Sequence, residues 1–153
     1  MDPEIKRTAT AVFCDVCEKF AFMFAEPVAP GHLPSGEPDS LRTDTTFAGP
    51  FSGSMMLAAP FTMCHELAAN MRSGDKEKAG ASQRATEALQ KLLTITCRQF
   101  LAALSGEETV FDLSPPTSAR IDLPAWNHLN ALPGTLQILV EDYPVLLHIN
   151  IEQ

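Results

Sequence analysis

The chain has 153 residues, of which 45% are hydrophobic and 20% charged, and a formal net charge of −8; this composition is typical of one globular domain spanning residues 1–153. So acidic a chain is poorly suited to nucleic acid or an anionic membrane, because both attract basic surfaces, and neither is expected as a partner. No stretch approaches the roughly 18 consecutive apolar residues that a membrane span needs. Charged residues interrupt the N-terminal segment, so it cannot serve as the apolar core of a signal peptide, and we expect a cytoplasmic location.

The apolar pattern changes along the chain between the three- and four-residue steps of helices and the alternation of strands. It predicts, in order, a helix over 4–25, strands over 43–50 and 52–58, helices over 61–71 and 82–104, and strands over 110–113, 119–123, 135–141 and 145–151. Strands joined by short turns pair antiparallel. The predicted fold class is therefore α+β, with a mainly antiparallel sheet on which a long helix and shorter helices pack.

Three local features carry predictions of their own. Asp44 is a poor strand residue, so its strand is expected to start late or to lie at an edge. Trp126 and His128 follow a predicted strand, and we interpret them as a loop anchored by packing of the indole. Cys14 and Cys17 are interpreted as small apolar residues on one helix face, with redox or zinc chemistry as the less favoured alternative.

The helix predicted over 82–104 has a continuous hydrophilic face opposite its apolar stripe. This face carries Glu87, Gln90, Lys91, Thr94 and Arg98. Steps of three and four residues place these side chains on one side of the helix. A solvated surface is the common interpretation of such a face, and a partner-binding surface is the alternative.

The order of elements and several motifs resemble the CheC/CheX chemotaxis phosphatases. The motifs are Phe-Ala-Phe-Met-Phe over 20–24, a glycine-punctuated strand pair over 47–57, and the segment over 97–116 that follows the long helix. The resemblance implies a protein of chemotaxis or two-component signalling that docks a CheY-like receiver and hydrolyses its phospho-aspartate. It also implies a homodimer formed through sheet edges, and no cofactor of its own, because the receiver carries the divalent metal.

The family's catalytic Glu-x-x-Asn pair is absent from this sequence. In the family, the glutamate pairs with a lysine of the receiver and the asparagine orients the attacking water, so catalysis depends on position. Alignment on the segment over 97–116 puts these two positions on Lys91 and Thr94, and the leading acidic position on Glu87. Lys91 would repel the receiver's lysine, and Thr94 is too short to replace a carboxamide. This register predicts docking without hydrolysis by the family's route.

A second register uses Glu87 and Gln90, a carboxylate and a carboxamide with the family's spacing, as the catalytic pair. It moves the pair by about 5.4 Å along the helix, which is a large displacement for positional catalysis, so we favour the first register. The hypotheses are thus a receiver phosphatase and a non-catalytic receiver-binding or dimerisation module. Both predict that Glu87, Lys91, Thr94 and Arg98 contact the partner; an unrelated ligand-binding domain is the weaker third hypothesis.

The helix predicted over 61–71 contains two further candidates. His65-Glu66 begins like a zinc protease motif, but Ala69 stands where the second histidine belongs, so no metal site is expected. Glu66 and Asn70 have one residue too many between them to form a second Glu-x-x-Asn pair. We therefore expect a capping or surface role for them.

Overall fold

The computed structural model describes residues 2–29, 31–71 and 80–152. The elements in these ranges are α1 Pro3–Ala21, β1 Ala25–Pro27, β2 Ser40–Ala48, β3 Ser52–Pro60, α2 Phe61–Met71, α3 Ala81–Ser105, β4 Asp112–Leu113, β5 Thr117–Ile121, α4 Leu123–Ala131, β6 Leu136–Val140 and β7 Tyr143–Glu152. The predicted α+β class, with a long helix and shorter helices on a mainly antiparallel sheet, is confirmed. No helix in these ranges is long and apolar enough to cross a bilayer.

One sheet joins all the strands in the order β1-β6-β7-β3-β2-β4, and β5 also pairs with β2. Every pairing is antiparallel. β2 pairs with β3 along its whole length, while its other edge is shared between β5 and β4. The interior of the sheet is therefore β6, β7, β3 and β2.

The prediction that Asp44 marks a late start or an edge is wrong. Asp44 lies in the middle of β2, which has a neighbouring strand on both sides. Its carboxylate accepts hydrogen bonds from Nε and Nη2 of Arg42, at 2.8 and 3.0 Å. Residues two apart in a strand share one face, so this bidentate pair satisfies an acidic group within the strand.

The two faces of the sheet are covered differently. α1, α2 and α3 pack on one face over the main core, which includes Phe13, Leu57 and Phe100. α4 packs on the other face, where Trp126 is 1% exposed and contacts a small cluster of apolar residues. The helical layer on the first face therefore leaves the outer side of α3 turned away from the sheet.

The loop interpretation of Trp126 is wrong, although its packing role is confirmed. Asp122 accepts a hydrogen bond from the Ala125 N–H at 3.0 Å and caps the N-terminus of α4, and Pro124 lies in the first turn. Both are helix-start features. The apolar stripe of a helix this short was too weak to be recognised in the sequence.

The first helix ends four residues earlier than the apolar pattern predicts. α1 ends at Ala21, and Phe22 adopts a left-handed conformation with φ 55° and ψ 38°. Met23 and Ala25 are buried, but they reach the core from the following extended segment and β1. Their burial extended the apparent helical pattern.

The cysteines are free thiols. Cys17, Cys64 and Cys97 are buried in the main core, and Cys14 is half-buried. Burial raises the pKa of each of these three buried thiols, to about 12 for Cys64 and Cys97. The interpretation of Cys17 as an apolar core residue is confirmed.

Candidate functional site

The long helix α3 is anchored by one apolar side and terminated by glycine. Its buried residues recur at helical spacing: Ala85, Ala88, Leu89, Leu92, Leu93, Thr96, Cys97, Phe100 and Leu101. Gly106 follows the helix with φ 90°, and its N–H donates to Ala102 at 2.8 Å. Glycine adopts positive φ without a steric penalty, so Gly106 ends the helix in the way that glycine commonly does.

The hydrophilic face of α3 is accessible. Lys91 and Arg98 are exposed, whereas Glu87, Gln90 and Thr94 are half-buried. Glu87 accepts a hydrogen bond from Gln83 Nε2 at 3.1 Å. The structure thus brings the five predicted residues together on one open side of the helix.

Gln90 connects this face to the sheet. Its Nε2 donates to Ser118 Oγ at 2.7 Å and lies 3.5 Å from the carbonyl oxygen of Pro116. Ser118 in turn donates to Thr43 Oγ1 at 3.1 Å. The amide nitrogen of Gln90 is therefore engaged in a chain of hydrogen bonds that runs into β5 and β2.

Thr94 uses its hydroxyl within the helix. The Oγ1 of Thr94 donates to the backbone carbonyl of Gln90, one turn earlier, at 3.0 Å. Threonine often makes this bond inside helices. The bond directs the hydroxyl along the helix axis and leaves only the short methyl group to project further.

A groove adjoins the face at Lys91, and we call it the aromatic groove. About 590 Å³ in volume, it is lined by Lys19, Phe20, Phe22, Ala69, Asn70, Met71 and Lys91. The rings of Phe20 and Phe22 are 41% and 71% exposed. No pattern in the sequence predicts this groove, because it forms where residues of α1, α2 and α3 meet.

A smaller hollow lies near the other end of the face. Arg98 borders it together with Leu101, Glu107 and Phe111, and its volume is about 130 Å³. It lies where the chain leaves α3 towards β4. The hydrophilic face is therefore flanked by a hollow at Lys91 and another at Arg98, each lined by both apolar and polar side chains.

Glu66 and Asn70 serve structural roles, as predicted. Glu66 Oε1 accepts a hydrogen bond from the Tyr143 hydroxyl at 2.8 Å. Asn70 Nδ2 donates to the carbonyl oxygen of Ala21 at 2.9 Å and so caps the end of α1. His65 packs against Phe61, with ring centroids 5.0 Å apart. Among the described residues, no group of three or more His, Cys, Asp or Glu could hold a metal ion.

The fold is that of solved chemotaxis proteins. CheX from Vibrio vulnificus superposes with a TM-score of 0.70 at 14% identity, over 97% of both chains. A CheC-like superfamily protein from Shewanella sp. PV-4 superposes with a TM-score of 0.69 at 16% identity, over 100% of both. A chain of the CheX–CheY–BeF3–Mg²⁺ complex from Borrelia burgdorferi gives a TM-score of 0.63 at 17% identity, over 98% of this chain and 97% of that one.

These similarities define the class of the fold, which is CheC/CheX-like. The sequence resemblance to that class is thereby confirmed at the level of the fold. No protein-family model matches the sequence, and no curated protein is significantly similar to it.

Proposed function

We propose that the protein acts in chemotaxis or two-component signalling by docking a CheY-like receiver through the hydrophilic face of α3. The observation that carries the proposal is the accessibility of this face on a CheX-like fold. One solved protein of that fold is in a complex of CheX with CheY. The exposed Lys91 and Arg98 and the half-buried Glu87 supply charges of both signs, which favours selection of a complementary partner over general stickiness.

The contacts on this face favour docking without hydrolysis. In the favoured register Lys91 presents a cation where the family has a glutamate, and the hydroxyl of Thr94 is bound to the helix backbone. Neither side chain supplies a carboxamide for orienting water. Since the receiver provides its own metal and phospho-aspartate, a protein without these two groups retains a binding surface but loses the positional part of the chemistry.

Hydrolysis through Glu87 and Gln90 is the second candidate. The two side chains are half-buried on the same face and have the carboxylate–carboxamide order of the family. Against it, the amide nitrogen of Gln90 is held at 2.7 Å by Ser118. A receiver would therefore have to displace Gln90 from β5, unless the amide oxygen alone orients the water.

The test is to mix the protein with an autophosphorylated receiver from the same cell, and to measure binding and phosphate release together. We expect measurable binding and an unchanged decay of phospho-aspartate. Charge reversal by Arg98→Glu should weaken binding about tenfold, because an interfacial contact is lost and repulsion introduced. Arg7→Glu is the matched control, because Arg7 is an exposed cation of α1 that lies beside β1 and lines neither hollow of the α3 face.

Two other outcomes decide between the candidates. Faster decay that Gln90→Ala abolishes establishes the phosphatase and overturns docking without hydrolysis. Failure to bind any receiver from that cell rejects both candidates.

A further inference from the structure

We propose that the receiver contact extends beyond α3 into the aromatic groove, where Phe22 and Phe20 pack against an apolar side chain of the receiver that has acidic groups beside it. This inference rests on the proposed function and adds a second, apolar part to the docking surface. Phe22 is the principal contact residue.

The backbone of Phe22 is in a region that bulky side chains avoid. With φ 55° and ψ 38°, it occupies the left-handed cap position that follows a helix, where glycine is the usual residue. A side chain with a Cβ is strained in this conformation, and for a bulky residue it is a true outlier. Replacement by glycine would relieve the strain. We therefore expect phenylalanine at this position to make a contact that offsets the strain.

Burial does not supply that role. The Phe22 side chain is 71% exposed and lies outside the main core. Strained conformations persist where the surrounding structure imposes them, and they concentrate at ligand contacts. A strained residue whose ring is largely in solvent is therefore explained better by a partner than by the fold.

The strained turn is fixed from both sides. The N–H of Met23 donates to the carbonyl oxygen of Cys17 at 3.1 Å, which closes the end of α1. Asn70 Nδ2 donates to the carbonyl oxygen of Ala21 at 2.9 Å from α2. These two bonds hold the residues on either side of Phe22, so they fix its backbone and the direction of its Cα–Cβ bond before any partner arrives.

The charges around the groove indicate the chemistry of its occupant. The charged side chains that line its described part are Lys19 and Lys91, on a chain whose net charge is −8. Lys19 forms an exposed pair with Asp15 at 3.1 Å, which solvent screens strongly. A local cationic border on an acidic protein complements an apolar group flanked by carboxylates.

Continuity with α3 identifies that occupant as the receiver. Lys91 belongs both to the hydrophilic face and to the lining of the groove. A receiver that covers Lys91 must also cover the border of the groove.

The experiment compares two phenylalanines by isothermal titration calorimetry with the receiver activated by beryllium fluoride and Mg²⁺. Phe22→Gly should weaken binding about tenfold or more, as loss of an aromatic contact residue does, while raising Tm by about 2–4 °C through relief of strain. The control is Phe24→Ala, because Phe24 is 61% exposed but does not line the groove. It should leave the affinity unchanged. A rise in Tm together with a loss of binding separates a contact role from unfolding.

The outcomes distinguish this inference from the proposed function. If the wild-type protein binds the receiver and Phe22→Gly binds it equally well, the aromatic groove is not part of the contact, and docking through α3 stands alone. If the wild-type protein binds no receiver, the proposed function itself fails. If sedimentation shows that Phe22→Gly converts a dimer into a monomer, the groove belongs to a second copy of this chain and the inference is overturned.

Discussion

His148, on the face of the sheet that α4 covers, makes the free energy of unfolding depend on pH. Its ring Nδ1 lies 3.1 Å from Thr135 Oγ1. Burial, and then the nearby charge of Arg42, lower the pKa of His148 below its ordinary value of 6.5. The unfolded chain therefore binds the proton more readily, so the free energy of unfolding is greatest above about pH 6.5 and falls as the pH drops towards the lowered pKa.

Urea unfolding at several pH values between about 7.5 and 5.5 measures this dependence. His148→Gln retains a polar group beside Thr135 but cannot titrate, and it should reduce the loss of stability at the acid end. His128→Gln, on the exposed side of α4, controls for the removal of one histidine. An identical pH dependence in the wild type and His148→Gln would show that the lowered pKa has no energetic consequence.

For individual residues, the sequence predicts which side chains share a helix face but not which groups they bind. The spacing of Glu87, Lys91 and Thr94 determines their direction because the helical repeat is regular. The bond from Gln90 to Ser118 joins residues on a helix and a strand, and its existence depends on how α3 lies over β5. The left-handed conformation of Phe22 was equally hidden, since glycine is the residue that signals it.

Among the elements, the hairpin of β2 and β3 depends on Gly53, which lies too close to β7 to carry a side chain. A Cβ added at Gly53 would collide with the backbone carbonyl of Asn150 in β7 and lie 2.8 Å from the Phe47 ring. Neither neighbour is the flexible end of a long side chain. Gly53→Ala should therefore lower the free energy of unfolding by about 1–3 kcal/mol, as overpacking in a core does.

Urea denaturation of this variant is best compared with Ser54→Ala, the next position of β3, whose side chain points to the opposite face. The control also ends in alanine and adds no volume. Equal stability of the two variants would mean that β7 moves aside at little cost.

The elements that the sequence predicted well have long or distinct apolar patterns. α2 has the predicted bounds, and α3 extends one residue beyond them at each end. β1 has three residues and pairs only with β6 among the described strands, so it carries no detectable alternation. The Ser-Gly-Asp-Lys run over 73–76, which as a sequence pattern favours a helix end, lies outside the described residues.

The molecule as a whole protects most of its thiols. Cys17, Cys64 and Cys97 are fully buried, and burial raises the pKa of each. Because the thiolate is the reactive form, alkylation of these three should follow global unfolding. Cys14 is half-buried and should react first.

Mass spectrometry after a pulse of iodoacetamide, with and without urea, counts the labelled thiols. One label per native chain is expected, and Cys14→Ser should remove it. Rapid native labelling at a second cysteine would contradict the rigid core that the packing implies.

The α+β class was accessible from the sequence because antiparallel neighbours follow one another along the chain. The sequence did not predict that β4 and β5 share one edge of β2, since this pairing depends on the path of the chain between the two strands. Thr45 and Thr43 donate hydroxyl hydrogen bonds to the carbonyl oxygens of Ser114 and Thr117, at 2.8 and 3.0 Å. These bonds secure the two short strands across the proline pair, where two backbone N–H groups are missing.

That interrupted edge limits how molecules can associate. β4 and β5 are short and are separated by Pro115 and Pro116, so they offer an incoming strand no continuous row of backbone hydrogen-bond donors and acceptors. Such interruptions commonly prevent aggregation through sheet edges. Among the described strands, β1 at the opposite end is the other rim, and it offers three residues, one of them Pro27. A homodimer built through sheet edges, as the resemblance implies, would thus have few main-chain bonds to share and would owe its cohesion to side chains.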